Sequence, residues 1–518
     1  MKRVLSNFRW GFDRELSSII LENGRVVERV SGVVAGGEDL GGKFLLPAFV
    51  DNHCHILPTG LDLTRPTLSG LSEPDAMLDV LRDALPEVQP GRWLQAVHYD
   101  QNRLPGGVHL SRAQLDSVSS TVPILLRHVN GHASVANSAA LREAGIAADE
   151  KDPDGGEYVR NEVGEFTGLL LEAAHERVTA AAPLPSLEEM VAAILRAGEA
   201  MAEFGIATAS DMMTGRFDLE RELEAYRLAA EAGCKVRTRL YVQWSRRLGP
   251  RASAVDLEAF NRSIDTSRCK VAGIKIFADG AIGSATAAIY GSYTGRKPSE
   301  LILSRHANDA KKHAPVDAPV SGQLMYRPSR LSEMVRVADE AGYQVAIHAI
   351  GDYAVDLVMD AYEACPDPSK HRIEHAMLLS DEQIARMADL NPWVTMQPEF
   401  LHRFPHAYIA QLGPERASKL KRFRSIVDAG LRLSLSSDRP IVLGDPWLSV
   451  RTASARPEGF DPAENLTREE ALRAATEWTG GPNGDDDLGH LNSGAHADII
   501  VSDEDPLTAT DRPNFARI

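Results

Sequence analysis

Short runs dense in apolar and β-branched residues alternate along most of this chain with longer stretches of helical period, and that alternation narrows the fold more than any other feature. The runs lie at 121–126, 235–242, 271–277, 344–347, 394–397 and 431–435, and amphipathic stretches lie at 187–204, 219–232, 331–341, 354–365 and 381–388. A strand whose residues are nearly all apolar is buried on both faces, and strands separated by helices pair in parallel. Such repetition predicts an α/β fold with a parallel sheet, open or closed, whose chemistry sits at the C-terminal ends of the strands.

The two ends of the chain read differently. Residues 17–21 and 25–30 are strand-like around the turn Asn23-Gly24, and Ala497-Asp498-Ile499-Ile500-Val501-Ser502 is β-rich after Asn492-Ser493-Gly494. The termini are expected to share one small sheet. The apolar run 44–50 reads as one buried strand leading into Asp51-Asn52-His53-Cys54-His55, and Asp485-Asp486-Asp487 reads as a solvated loop.

At 518 residues the chain has room for about three average domains, or for one α/β barrel with attachments. Its 73 acidic residues against 56 basic ones give a net charge of −17, the reverse of a footprint for nucleic acid or anionic lipid. No stretch approaches the roughly 18 apolar residues of a membrane span, and the first residues carry no apolar signal core, so a cytoplasmic protein is expected. Cys54, Cys234, Cys269 and Cys365 lack the paired spacing of a thiolate zinc knot. Any metal is therefore held by histidine and carboxylate groups.

His53 and His55 stand two apart, so on a strand both imidazoles project from one face, roughly 7 Å apart along the backbone. Alone, the pair is equally well read as two structural histidines. The same grammar recurs, however: apolar segments run into His348, into His375 through Arg372-Ile373-Glu374, and into Asp438 through Ser436-Ser437. Lys275 lies inside the strand-like run 271–277, where an ammonium is costly to bury unless it turns neutral or is modified.

Taken in order, Leu46 through His55, Gly131-His132-Ala133-Ser134, Lys275 through Gly280, His348 through Asp352, Arg372 through His375, Ser437-Asp438-Arg439-Pro440 and Gly494 through Val501 resemble the amidohydrolase superfamily. The resemblance is to its family-3 (YtcJ-like) branch, the group that includes N-substituted formamide deformylases, and it covers nearly the whole chain. It implies a distorted (β/α)8 TIM barrel with a small β-sandwich built from both termini. It also implies that His53 and His55 end barrel strand 1, Lys275 strand 4, His348 strand 5, His375 strand 6 and Asp438 strand 8. Ala48 stands where the family usually carries glycine, a departure that leaves the ligand set untouched.

Spacing adds an insertion. His55 and Lys275 are 220 positions apart, whereas three β/α units need only about 90–120 residues. The expected organisation is 1–47 with 485–518 as the small β domain, 48–67 with 173–484 as the barrel, and 68–172 as an insertion over the barrel mouth.

The resemblance implies two divalent cations, zinc foremost with manganese or iron as alternatives, bridged by a carbamylated Lys275. His53, His55 and Asp438 would hold one ion, and His348 and His375 the other. A metal-activated hydroxide would then hydrolyse a carbon–nitrogen bond of an amide or N-formyl compound, with Asp438 moving the proton. His132 is a candidate for substrate binding or oxyanion stabilisation, with a hydrogen-bonded loop histidine as its alternative. His98, Asp100, Asp279, Gln397, His402 and Arg439 are weaker candidates for substrate contacts, with an ordinary structural polar role as the alternative for each. Asp279 can also orient a ligand, and Asp352 is better read as a helix cap. A deaminase or other metal-assisted reaction on the same barrel is the alternative chemistry, and a non-catalytic binding protein is a third reading. The partner is a small molecule, and a homodimer is the family-level expectation.

Overall fold

The computed structural model describes residues 2–129, 131–153, 156–244, 257–294 and 320–518. They divide into two compact units, Met1–Gly60 with Met190–Ile518, and Leu61–Glu189.

The first unit is built on eight parallel strands: β1 (Phe49–Cys54), β2 (Ile206–Thr214), β3 (Arg237–Gln243), β4 (Cys269–Phe277), β5 (Gln344–Ala349), β6 (Arg372–His375), β7 (Trp393–Met396) and β8 (Arg432–Leu435). Each pairs with the next in chain order. The ring is closed just past the ends of β8 and β1. There the Asp438 N–H donates to the His53 carbonyl at 2.7 Å, and the His55 N–H donates to the Arg439 carbonyl at 2.8 Å. Below that seam Asn52 Nδ2 donates to Ser434 Oγ at 2.8 Å. The expected α/β barrel is the fold observed.

Side chains fill the barrel interior. Met212, Tyr241 and Ala346 form a small apolar cluster there. Strand β4 carries Gly273 where Tyr241 crosses it, since a Cβ at that position would stand 2.6 Å from the Gln344 carbonyl oxygen and 2.7 Å from the tyrosine ring. Helices are started by local chemistry, as in Asp381–Leu390, where Ser380 and Gln383 form a reciprocal capping box.

Both termini contribute to a single seven-stranded sheet, in which Ile499–Ser502 runs antiparallel to Phe44–Pro47. The run 44–50 is thus two strands in two sheets rather than one. Pro47 has no N–H to continue the ladder. After it the Ala48 N–H turns to the Asp498 carbonyl, and the Phe49 N–H turns to the Gly205 carbonyl beside β2. The acidic run 485–487 is also not simply solvated. Asp485 is buried and receives Arg239 Nε at 2.6 Å and Lys270 Nζ at 2.7 Å, two cations that lie on barrel strands.

The unit Leu61–Glu189 has its own five-stranded mixed sheet. One apolar cluster around Leu81, Leu115, Leu126 and Val135 and another around Leu125, Ala136, Tyr158 and Leu170 hold its helices to that sheet. Among the described residues no helix is long and apolar enough to cross a membrane.

Candidate metal centre

Strand β1 ends in two imidazoles, and the chain leaving β8 brings a carboxylate to them. His53, His55 and Asp438 each offer a ligand atom, all within 4.8 Å of one another, and all three side chains are buried. Asp438 Oδ1 stands 2.8 Å from His55 Nε2 and 3.4 Å from His53 Nε2, yet among the described residues that oxygen forms no well-directed hydrogen bond, and His55 Nδ1 has no partner. Burial raises the Asp438 carboxyl, but His53 and His55 outweigh it and hold the group well below the usual carboxylate range. Asp438 is therefore an anion whose lone pairs face imidazole nitrogens.

The ring continues through β5 and β6. The His53 and His375 ring centroids are 4.7 Å apart, and those of His375 and His348 are 4.5 Å apart. Simple strand alternation would send Glu374 and His375 to opposite faces. His375 and Ala376 adopt left-handed φ values of 74° and 41°, which re-aim the backbone at the strand end. Burial, with His348 and His53 adjacent, drives the His375 imidazole well below its ordinary range, so it is neutral and fit to be a ligand.

What backs each ring decides which nitrogen carries the proton. His53 Nδ1–H donates to Glu374 Oε2 at 2.6 Å, and His375 Nδ1–H donates to Gln397 Oε1 at 2.8 Å. Each therefore presents an Nε2 lone pair. His348 Nε2 lies 3.0 Å from the Gly280 carbonyl, which places its ring proton on Nε2 and its lone pair on Nδ1. Such partners behind an imidazole fix tautomer and orientation together.

Lys275 is wholly buried on β4, and among the described residues its Nζ has no hydrogen-bond partner. The Nζ lies 4.8 Å from the Phe277 ring centroid. Burial draws the amine down to about 8, against the opposing pull of Glu374 and Asp438. An orphaned amine within the electrostatic reach of Glu374, Asp438 and His375, with further ligand atoms left unbonded, suits a divalent cation better than a closed hydrogen-bond network.

The weaker candidates have other roles in the structure. Asp279 is fully buried and accepts the backbone N–H groups of Ile350, Gly351 and Ala288 at 2.8–3.0 Å, with its carboxylate 3.5 Å from His348 Nε2. These contacts fix the end of β5 and the His348 ring beside it. Gln397 serves His375. Arg439 is buried with its guanidinium 5.4 Å from the ring of Phe204, which precedes β2. Asp352 lies at the start of helix Asp352–Glu363, accepts the Tyr290 and Tyr353 N–H groups, and is 3.2 Å from Arg416 Nη2.

His98, Asp100 and His132 belong to the Leu61–Glu189 unit. There His98 Nδ1 meets Thr67 Oγ1 at 3.1 Å, and Asp100 caps the Asn102 N–H at 3.1 Å. His132 Nδ1–H donates to the buried Glu172 at 2.9 Å, and Glu172 has a left-handed φ of 49°.

Two residues of the centre escaped the sequence reading. Glu374 backs His53 and is itself gripped by Arg372 Nε at 2.8 Å. Burial would raise it, but Arg372 and His53 pull it down to about 2. The available signal was a pair of opposite charges two apart inside a buried strand. Lys421 is fully buried and donates from Nζ to Gln397 Oε1 at 3.2 Å. Burial lowers its amine to about 7, with Asp438 opposing. It sits in a connecting segment without strand or helix pattern, and no local signal marks it.

A family model described as the amidohydrolase family matches residues 37–515. The chain belongs to the amidohydrolase family. Among its relatives, Protein LONG AFTER FAR-RED 3 of Arabidopsis thaliana is 31% identical over 93% of this chain and 83% of that protein. An N-substituted formamide deformylase of Arthrobacter pascens is 28% identical over 90% of this chain and 85% of its own length. Among solved structures, an uncharacterized metal-dependent hydrolase from Pyrococcus horikoshii superposes with a TM-score of 0.75 at 26% identity, covering 98% of this amidohydrolase-family chain and 99% of the other.

Proposed function

We propose that this chain is a metal-dependent hydrolase that cleaves a carbon–nitrogen bond, of amide or N-formyl type, in a small molecule. The observation that carries the reading is the buried meeting of His53, His55 and Asp438, with their ligand atoms within 4.8 Å of one another, next to the unpartnered amine of Lys275. Similarity to an N-substituted formamide deformylase and to a metal-dependent hydrolase supports it.

His53, His55 and Asp438 would hold one divalent ion, and His348 and His375 a second. Lys275 would lie between them as the carbamate formed when its neutral amine adds to carbon dioxide and releases a proton. Zinc suits this imidazole and carboxylate set. Divalent ions there would supply Lewis acidity toward a carbonyl oxygen and would lower the pKa of water.

The protein's own groups then do the following work. Asp438, ionised and at the edge of the cluster, accepts a proton from the attacking water and returns it to the departing nitrogen. Glu374 and Gln397 keep the His53 and His375 lone pairs directed away from the barrel wall. Arg372 keeps Glu374 ionised.

The test is elemental analysis of the purified full chain together with a hydrolysis screen of N-formyl amines, N-acyl amino acids and cyclic amides. Stoichiometric zinc and turnover of at least one class are expected. Protein that binds no divalent ion, or loaded protein inert to every class, would sink the reading.

A further inference from the structure

His53 and His375 are both backed at Nδ1, but by groups of opposite electrical character. Behind His53 stands a carboxylate, Glu374, at 2.6 Å. An anionic acceptor draws the Nδ1 proton toward itself and makes Nε2 a stronger donor to a metal. Behind His375 stands a neutral amide whose oxygen is already engaged, because Gln397 Oε1 also accepts from Lys421 Nζ at 3.2 Å. Charged or neutral, Lys421 is a donor to that oxygen and withdraws electron density from it. When charged it also repels a cation.

The arrangement is built rather than incidental. Gln397 Nε2 donates to Ser436 Oγ at 3.0 Å and to the Thr395 carbonyl at 3.3 Å, so a flipped amide would point donors at His375 and Lys421 and an oxygen at the Thr395 carbonyl. Lys421 is held in a left-handed conformation with φ of 55°. Its N–H donates to the Met377 carbonyl at 2.7 Å, and its own carbonyl accepts Arg456 Nη1 at 2.8 Å. Its Nζ lies 5.1 Å from the Phe400 ring centroid, and that ring stacks on His375 with centroids 6.2 Å apart. Lys421 forms no ion pair among the described residues, and the hydrogen bond from its Nζ is the one to the amide.

We propose that the Gln397–Lys421 pair makes His375 a deliberately weak ligand. The half of the centre formed by His53, His55 and Asp438 then binds its ion tightly, while the half formed by His348 and His375 holds an exchangeable one. Lys421 is a positioning residue in this scheme, acting on His375 through Gln397. The proposal rests on the reading that these histidines bind metal.

Titration of the metal-free full-length chain at fixed pH with Co2+, followed by visible absorption, and with Zn2+, followed by calorimetry, reads the two sites without any substrate. The wild type should fill in two steps whose dissociation constants differ at least tenfold. Gln397→Glu, which places an anion behind His375, should tighten the second step by about 10–100-fold. Lys421→Met should tighten it by a smaller factor, and Lys421→Arg, which keeps a donor on the amide, should leave the wild-type gap. Two steps of equal affinity, or a second step unmoved or weakened in both Gln397→Glu and Lys421→Met, would overturn the proposal. A chain that binds neither ion would instead bring down the metal-site reading beneath it. Circular dichroism of each variant separates a lost site from a lost fold.

Discussion

The two ends of strand β6 each carry a buried cluster of histidine and carboxylate, and they have opposite fates. At its C-terminal end the barrel mouth gathers His53, His55 and Asp438. Near its N-terminal end Asp339, Cys365 and His371 come together, their ligand atoms also within 4.8 Å of one another. Residue type alone does not separate them; the groups behind each histidine and beside each carboxylate do. His371 Nδ1 accepts the backbone N–H of Val345 at 3.1 Å, so its remaining proton sits on Nε2, 3.2 Å from Asp339 Oδ1. Asp339 is also paired with Lys370 Nζ at 2.5 Å. A metal at this end would have to displace a proton and a cation. At the mouth a carboxylate takes the Nδ1 proton of His53 instead, and the Nε2 lone pair is left facing the cluster.

The comparison is tested hardest by removing one group at each end. Asp438→Asn should lower kcat by about 10^2–10^4-fold, the scale of a lost general acid and base, while retaining more metal than His53→Asn does. His371→Asn should leave metal content and turnover within a factor of a few and lower the melting temperature. Metal loss in the His371 variant would erase the distinction between the two ends.

The next effect is on affinity. Glu374→Gln removes the anion behind His53 and should weaken the tighter ion by about 10–100-fold in competition with a chelator. Asp339→Asn, the corresponding change behind His371, should leave both metal dissociation constants unchanged.

A third test uses stability. Lys275 is fully buried with its amine drawn down to about 8, from 10.5 for an exposed lysine. At pH values below about 8 the metal-free protein carries a buried ammonium without an acceptor, and that penalty fades as pH rises from 8 toward 10.5, because only the unfolded chain stays protonated there. Lys275→Met should therefore abolish activity yet stabilise the metal-free protein by up to about 3 kcal/mol at pH 7. The gain should shrink toward pH 10.5 in denaturant titrations. A variant less stable than wild type at pH 7 would show that the amine has a partner after all.

The barrel was legible because strands buried on both faces read as apolar runs. Residues 271–277 and 344–347 fall inside β4 and β5, and 431–435 overlaps β8. Strand β2 was not, since Ile-Ala-Thr-Ala-Ser-Asp-Met-Met-Thr is almost wholly buried but small and polar, fitting a crowded interior rather than an apolar layer. The two-residue histidine spacing, the buried lysine and the acidic residue after β8 announced themselves as charges at the ends of buried strands. The groups that tune them did not. Glu374 was masked by its neighbour His375, because strand alternation hides the left-handed turn that lets both serve one centre. Lys421 reaches Gln397 from an irregular segment, and only tertiary structure shows that contact.

The smallest expected effect is at Cys365, and it separates a ligand cluster from a packed one most cleanly. Burial, with Asp339 adding to it, pushes this thiol up to about 11, so it is un-ionised at neutral pH and neither a ready metal ligand nor a nucleophile. Its sulfur lies 3.6 Å from the Ala361 carbonyl one helical turn earlier. A serine hydroxyl in its place could make the same bond back along the helix. Cys365→Ser should therefore change stability by less than about 1 kcal/mol and leave the zinc stoichiometry at its wild-type value. If the lower cluster bound an ion through the thiolate, the same substitution would lower bound zinc by one equivalent and cost far more stability than a hydroxyl exchange can explain.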